Sequence, residues 1–353
     1  MIGFWANAAE KMLGGYSGTP PFQHDPVTAA RSMGINVHYV NGPLMESDVD
    51  TSAAVRAARD SDVVLYFGGI DNTVEREGQD RTSIAWPPGQ LTMIQRLAEV
   101  GKPVVVVRMG THVDDAPLLS MPNVKAILWV GYPGQDGGTA VMNIITGRAS
   151  PAGRLPMTVY PASYVDQAPF TNMALRNSSS FPGRTYRWFH DSVFPFGYGL
   201  HYTKWGLGSN GSFPRLYAIQ DLVASCVGKA ARLDLCPFTS YPLKVYNTGS
   251  RASDFVALGF IEGRQGPRPH AIKTLVAYAR AHNIAPGESR DVELKLTLGS
   301  LARVDENGNR VLYPGSYDLT VDEPSFLGAQ FVITGEEPVV LEEWPQPPAS
   351  LVD

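Results

Sequence analysis

Short apolar runs alternate with amphipathic stretches through the first half of the chain. The runs over residues 63–67, 104–108 and 126–130 are rich in β-branched side chains, which is typical of strands buried on both faces. Helical patterns over residues 51–60 and 88–100 stand between them. This alternation predicts an α/β domain in which helices cover a mostly parallel sheet.

Several local signals refine these elements. Asp50 or Thr51 is expected to cap the helix that ends near residue 60, and Pro88 suits the first turn of the next helix. A further helix over residues 138–145 is predicted to end at Gly147, in a left-handed cap position. Residues 2–5 and 37–40 are two more strand candidates, because both are short apolar runs.

The pattern changes twice after residue 160. Residues 161–211 are rich in aromatic residues, Gly, Pro and Ser with little periodicity, which favours an inter-domain linker packed onto a surface. Period-two strand patterns separated by turns then predict an antiparallel sandwich; they include residues 243–246, 292–296 and 317–321. The expected organisation is an α/β domain over 1–160, a linker over 161–211, a β-sandwich over 212–341 and a tail over 342–353.

Composition and charge narrow the classes of function. The 353 residues are 44% hydrophobic and carry a formal net charge of -5 without any Lys/Arg cluster. Such a chain lacks the basic surface that binds nucleic acid or anionic lipid, so we expect neither a nucleic-acid nor a membrane partner. No apolar run is long enough to span a bilayer, and the first residues lack the pattern of a signal peptide.

Other residues point to an oxidising compartment. Cys226 and Cys236 lie close together in sequence without His or Cys companions, which favours one disulfide over a metal site. Asn177 and Asn210 each begin an Asn-x-Ser sequon and are candidate glycosylation sites. Secretion features in a chain without an export signal suggest that an N-terminal part is missing.

The most chemically suggestive segment is the loop over residues 68–81, GGIDNTVEREGQDR, which we name the 68–81 loop. It follows a predicted strand, and α/β sheets place ligand sites at the carboxyl ends of their strands. A proton donor in this loop would be Glu75 or Glu77. Asp71 and Asn72 are expected to shape the loop, because Asx side chains bond to their own backbone.

Nearby side chains have both functional and structural interpretations. Glu77, Asp80 and Arg81 are expected to form an ion-pair group at the surface or between domains. Trp86 could stack on a sugar ring, although a Trp at the start of a helix also serves simple packing. His112 stands beside two aspartates but lacks a third ligand at metal-site spacing, so we expect no metal and no cofactor.

Four stretches in the chain form a distinctive series: GGIDNTVE from Gly68, WVGYPGQDGG from Trp129, PAGRLPMT from Pro151 and PFGYGL from Pro195. In this order and spacing they resemble family 3 glycoside hydrolases, and most closely the fungal β-xylosidases of that family. The resemblance covers the second and third domains of such enzymes and nearly all of this chain. It implies an α/β sandwich domain followed by a fibronectin type III-like domain.

The resemblance also implies a division of catalytic residues. In this family an N-terminal barrel provides the nucleophilic aspartate and most sugar contacts, while the α/β domain lends a loop with the acid/base glutamate. Glu75 matches that glutamate, with Glu77 as the fallback, and the nucleophile is implied to lie outside this chain. The implied activity is retaining hydrolysis of terminal β-1,4-linked xylose from xylo-oligosaccharides by a secreted enzyme, with another β-glycoside as the alternative substrate.

One segment departs from the family. Residues 109–115 read MGTHVDD, where the family more often has a Gly-Gly-Gln-Val-Asp run that is one residue longer. Without the barrel, the chain alone is expected to be inactive. The alternatives are a carbohydrate- or protein-binding module derived from such an enzyme, and a split enzyme completed by a barrel that a separate polypeptide supplies.

Overall fold

The structure, a computed structural model, describes residues 1–209, 211 and 213–345. Its residues divide into two units. Unit 1 comprises Met1–Ala149, Val159–Asn172 and Asp191–Phe194, and unit 2 comprises Ser150–Thr158, Met173–His190 and Pro195–Asp353. Asn210 and most of the expected C-terminal tail lie outside the described residues. The domain limits inferred from the sequence stay a prediction.

Unit 1 is built on a parallel sheet. Its strands are β1 (Val64–Gly69), β2 (Val104–Met109) and β3 (Val124–Gly131), hydrogen-bonded in the order β1-β2-β3. Because all three run in the same direction, their carboxyl ends lie at one edge of the sheet. The prediction of a parallel α/β sheet from the apolar runs is confirmed.

Side chains from β1 enter two different cores. Val64 and Tyr66 join a hydrophobic cluster on one face of the sheet, whereas Leu65 and Phe67 join a separate cluster on the other face. Successive residues of a strand point to opposite faces, so both faces are covered. The helices of unit 1 are α1 (Pro26–Ser32), α2 (Ser52–Arg59), α3 (Pro88–Glu99), α4 (Ala116–Leu119), α5 (Gly137–Ile145) and α6 (Tyr164–Gln167).

The predicted helix ends are close to the observed ones. The carboxylate of Asp50 accepts the N–H of Ser52 at 2.8 Å, whereas Thr51 makes no side-chain cap. Of the two candidates, Asp50 is therefore the capping side chain. Gly147 has φ 72° just after α5, in the left-handed conformation that was predicted there.

The strand predictions at residues 2–5 and 37–40 are wrong, because in these two ranges only the single residues Ile2 and Val40 form β-bridges. Ile2 forms isolated parallel bridges with Tyr66 and Val40, and a 3-10 helix begins at Phe4. Gly3 has φ 117°, and a Cβ there would collide with the carbonyl oxygen of a β1 residue. The chain leaves the sheet at this glycine, which an apolar run does not reveal.

Unit 2 contains the predicted antiparallel sandwich, with one five-stranded and one three-stranded sheet around a shared hydrophobic core. The five-stranded sheet has the order β5-β13-β12-β7-β8, from β5 (Leu216–Ala218), β7 (Ser253–Gly263), β8 (Thr274–Ile284), β12 (Gly315–Val321) and β13 (Leu327–Thr334). The three-stranded sheet has the order β4-β6-β9, from β4 (Trp205–Gly208), β6 (Pro237–Asn247) and β9 (Ser289–Thr297).

Smaller elements complete unit 2. A third sheet joins β10 (Arg303–Val304), β11 (Arg310–Leu312) and β14 (Val339–Glu342), and the helices are α7 (Thr185–Trp188), α8 (Ile219–Cys226) and α9 (Leu298–Leu301). The predicted disulfide between Cys226 and Cys236 is present, and both cysteines are buried. Asn177 is exposed, and its glycosylation stays a prediction. No helix in the described part of the chain is long and apolar enough to cross a membrane.

One buried side chain fixes the carboxyl end of β1. The amide group of Gln90, on α3, donates to the carbonyl oxygens of Leu44 and Gly69, at 2.7 Å each. Its Oε1 accepts the N–H of Gly69 at 2.9 Å. Gln90 is fully buried, so water cannot replace these bonds if the side chain is lost.

We expect Gln90→Leu to lower the free energy of unfolding by about 3 kcal/mol, because the buried N–H and carbonyl oxygen of Gly69 and the partly buried carbonyl oxygen of Leu44 lose their partner. Gln95→Leu is the matched control, since Gln95 lies on the same helix but is exposed. Chemical denaturation of the full chain measures both. Equal effects of the two substitutions would show that the Gln90 bonds do not stabilise the strand end.

Candidate active site

The carboxyl ends of β1 and β2 approach each other backbone to backbone. Gly69 has φ 118° and Gly110 has φ 78°. A Cβ on Gly69 would collide with the carbonyl oxygen of Met109, and a Cβ on Gly110 would collide with that of Ile70. Only glycine fits at these positions. The loops that follow the two strands therefore begin side by side.

Asp71 organises the first half of the 68–81 loop. It is 1% exposed, and its Oδ1 accepts the backbone N–H and the hydroxyl of Thr73 at 2.9 and 2.5 Å. Its carbonyl oxygen accepts the N–H groups of Val74 and Glu75 at 3.0 and 3.2 Å. Lys11 Nζ lies 3.3 Å from Oδ2. The prediction that Asp71 shapes the loop is confirmed.

The second half of the loop folds back on the first. Arg76 and Gln79 exchange two backbone hydrogen bonds, at 3.1 and 2.9 Å, around Gly78 with φ 75°. The side-chain amide of Gln79 donates to the carbonyl oxygens of Thr73 and Val74, at 2.7 and 3.3 Å. Glu75 thus sits on a segment with its own internal hydrogen bonds.

Both carboxylate oxygens of Glu75 are engaged. Oε2 forms an ion pair with Nε of Arg81, and Oε1 accepts the hydroxyl of Thr111 at 2.5 Å. The Glu75 side chain is 29% exposed, so it is held in place while one part still reaches solvent. Arg81 was expected in an ion-pair group with Glu77 and Asp80. It pairs instead with Glu75, a contact made between two turns of the same loop.

The fallback residue has a different environment. Glu77 is exposed, and one of its oxygens accepts the hydroxyl of Tyr16. Tyr132, which follows β3, lies near Asp71 and Glu75; burial raises its pKa to about 12, and the charges of these two carboxylates add to the shift. Its phenol therefore stays neutral beside the loop.

A buried ion pair underlies the Thr111 segment. Arg108 and Asp115 are 1% and 2% exposed, with Nε 3.1 Å from Oδ1. Burial raises the pKa of Asp115 to about 6, and the charge of Arg108 opposes that rise. Arg108 also donates from Nη1 to the carbonyl oxygen of Thr111 at 3.3 Å. The pair thereby ties the backbone beside Glu75 to the end of β2.

His112 is partly buried in the same region. Its Nε2 lies 3.1 Å from the carbonyl oxygen of Tyr160. Burial lowers the pKa of His112 to about 4, and the charges of Arg108 and Arg81 lower it further. A neutral imidazole can donate to that carbonyl. The described residues contain no group of three His, Cys, Asp or Glu side chains placed to hold a metal ion.

Trp86 belongs to the hydrophobic core. It is 3% exposed and packs in the same cluster as Tyr66 and Ile94. A Cβ on Gly68 would lie 2.9 Å from its ring. An aromatic ring that stacks on a sugar needs an accessible face, so the structure favours the packing interpretation of Trp86.

The sequence interpretation singled out Glu75 but did not predict its contact with Thr111 from the neighbouring loop. Thr111 and Tyr132 lie near Glu75 because of the tertiary fold, and the spacing of residues in the sequence does not show this. Their positions after predicted strands could have pointed to both. Thr111 follows the carboxyl end of β2 and Tyr132 that of β3, and both strands belong to the same parallel sheet as β1. Loops at that edge converge whatever their separation in sequence.

Comparison with protein families matches residues 1–202 to the glycosyl hydrolase family 3 C-terminal domain. Residues 256–325 match a fibronectin type III-like domain. The first match covers more than half of the chain and contains the whole 68–81 loop. The second lies within the sandwich of unit 2.

Curated relatives extend the match over almost the entire chain. A probable exo-1,4-beta-xylosidase of Neosartorya fischeri is 48% identical over 357 residues, covering 99% of this chain and 46% of the relative. One from Aspergillus fumigatus is 47% identical with the same coverage. The chain thus spans about half the length of the curated relatives it matches.

Solved structures agree. A family 3 exo-beta-xylosidase in complex with a xylobiose aziridine probe aligns with TM-score 0.95 and 39% identity, covering 99% of this chain and 46% of that one. A beta-glucosidase from Listeria innocua aligns with TM-score 0.77 at 20% identity, which supports the fold alone.

The partly buried imidazole of His112 predicts a pH dependence of stability. Because the pKa of His112 falls from 6.5 in the unfolded chain to about 4 in the folded one, the neutral ring stabilises the fold above pH 6.5. That stability is lost as the pH falls toward 4. The parent chain should therefore lose roughly 2–3 kcal/mol of its free energy of unfolding through His112 between pH 7 and pH 4. We expect His112→Gln, whose side chain cannot titrate, to abolish this loss.

Denaturation at pH 7 and pH 4 measures this difference. Asp115 titrates in the same range with the opposite sign, because its raised pKa makes the folded state bind protons more tightly. Subtracting the His112→Gln values from those of the parent chain cancels that contribution. Parallel curves for the two proteins would show that His112 is not buried in its neutral form.

Proposed function

The chain belongs to glycosyl hydrolase family 3, and on that premise we propose that its 68–81 loop supplies the acid/base half of a β-xylosidase active site. The observation that carries the proposal is the placement of Glu75. It lies at the carboxyl edge of the parallel sheet, on a loop with internal hydrogen bonds, with both oxygens engaged and the side chain partly exposed.

Glu75 is the proposed proton donor and acceptor. In a retaining glycosidase, one carboxyl group protonates the leaving oxygen while a second attacks the anomeric carbon, and the first then takes a proton from water. The two groups stand about 5 Å apart. Asp71 is committed to the loop by its hydrogen bonds, which argues against it as the second group.

The nucleophile is proposed to come from a barrel domain outside these 353 residues. The chain spans 46% of the relatives it matches, and the barrel of this family is the expected source of the nucleophilic aspartate. It could be joined in the same polypeptide or supplied by another. We infer that the 353-residue chain has no glycosidase activity by itself.

Xylo-oligosaccharides with a terminal β-1,4-linked xylose are the proposed substrates. The relatives are probable exo-1,4-beta-xylosidases, and the solved structure at 39% identity holds a xylobiose-derived probe. The disulfide and the exposed sequon at Asn177 support export to an oxidising compartment. The reaction needs no cofactor in this proposal.

A chimera tests the assignment directly. The chain replaces the corresponding segment of the Neosartorya fischeri relative, so that the relative's own N-terminal part is retained. We expect the chimera to hydrolyse xylobiose, and Glu75→Gln to lower kcat/KM on xylobiose about 100-fold or more, because the leaving oxygen then receives no proton.

Glu77→Gln is the matched control. Its kcat/KM on xylobiose should stay within about twofold of that of the chimera, because the Glu77 side chain is exposed and contacts Tyr16. The 353-residue chain alone should release no xylose. A large loss with Glu77→Gln but not with Glu75→Gln would exchange their roles. Saturable binding of xylo-oligosaccharides by the isolated chain, with an inactive chimera, would instead favour the carbohydrate-binding alternative.

A further inference from the structure

Thr111 contacts the candidate acid/base directly, and its role follows from the chemistry of the two partners of Glu75. Arg81 is always charged and can only donate hydrogen bonds. A proton on Oε2 would point at that donor, so the proton of the acid form belongs on Oε1. The hydroxyl of Thr111 lies 2.5 Å from Oε1.

We propose that Thr111 is a positioning residue that holds the proton-carrying oxygen of Glu75 in both of its protonation states. A threonine hydroxyl is both a donor and an acceptor. It donates to Oε1 when Glu75 is ionised and accepts from Oε1 when Glu75 is protonated. The inference rests on the proposed function of Glu75.

The position of the hydroxyl is set by the backbone around it. Gly110, with φ 78°, turns the chain at the end of β2. The carbonyl oxygen of Thr111 accepts a hydrogen bond from Arg108 at 3.3 Å, and Asp115 holds Arg108 by a buried ion pair. The backbone of Thr111 is thus held by Arg108, while its side chain contacts Glu75.

Thr111 belongs to the segment MGTHVDD, residues 109–115, which begins at the end of β2. In the step that kcat/KM reports, Glu75 gives its proton to the leaving oxygen, as the glycosidic C–O bond breaks and a barrel carboxylate bonds to the anomeric carbon, and the hydroxyl of Thr111 holds Glu75 for that transfer.

The test uses the chimera described above and two substrates that differ in their need for an acid. Xylobiose has a poor leaving group that requires protonation, whereas 2,4-dinitrophenyl β-xyloside has one that leaves without it. The parameter is kcat/KM, which covers the first glycosyl-transfer step in both cases. Thr111→Val removes the hydroxyl at nearly constant volume.

We expect Thr111→Val to lower kcat/KM on xylobiose about tenfold or more, and to leave kcat/KM on the dinitrophenyl substrate within about twofold. Thr111→Ser, which keeps a hydroxyl, should restore most of the activity on xylobiose. Thr111→Ala provides a second deletion with the same expectation. Activity on the dinitrophenyl substrate also reports that each variant is folded.

Equal losses on both substrates, in Thr111→Val and Thr111→Ala alike, would overturn the inference, because they indicate a structural role. Full activity of both variants on xylobiose would also overturn it. Glu75→Gln separates this failure from that of the proposed function. If Glu75→Gln loses xylobiose activity and the Thr111 variants do not, only the inference about Thr111 fails.

Discussion

The candidate site depends on the close backbone approach between the ends of β1 and β2. Gly69 and Gly110 allow it, because any Cβ at either position would collide with a carbonyl oxygen of the neighbouring strand. Gln90 fixes the same strand end through both backbone groups of Gly69. Since both loops start from this point, Glu75 and Thr111 meet although 36 residues separate them.

The charged groups at this edge form two layers. In the buried layer Arg108 pairs with Asp115, and in the partly exposed layer Arg81 pairs with Glu75. Burying an ion pair costs desolvation energy, so the lower pair is weak support for a gain in stability. Its geometric effect is clearer, since it holds the backbone of Thr111. The position of Glu75 in the partly exposed pair therefore depends, through Thr111, on the buried pair of Arg108 and Asp115.

Local patterns predicted the parallel sheet, the sandwich and the disulfide, because strand periodicity and cysteine spacing are properties of neighbouring residues. Contacts between distant residues were not predictable in this way. Gln90 is a residue type that is common in helices, and its neighbours in the sequence do not indicate that it bonds to Gly69. The ion pair of Arg81 with Glu75 was likewise missed, since four carboxylates lie within the same loop.

If Glu75 is held as described, the 68–81 loop is already formed in the 353-residue chain by itself. Hydrogen exchange of the purified chain tests this at the amides of Thr73, Val74, Glu75, Arg76 and Gln79, which donate hydrogen bonds within the loop. The account predicts exchange at least about tenfold slower than in an unstructured peptide. Exchange at the unstructured rate would contradict it and show that the loop forms only when a barrel binds.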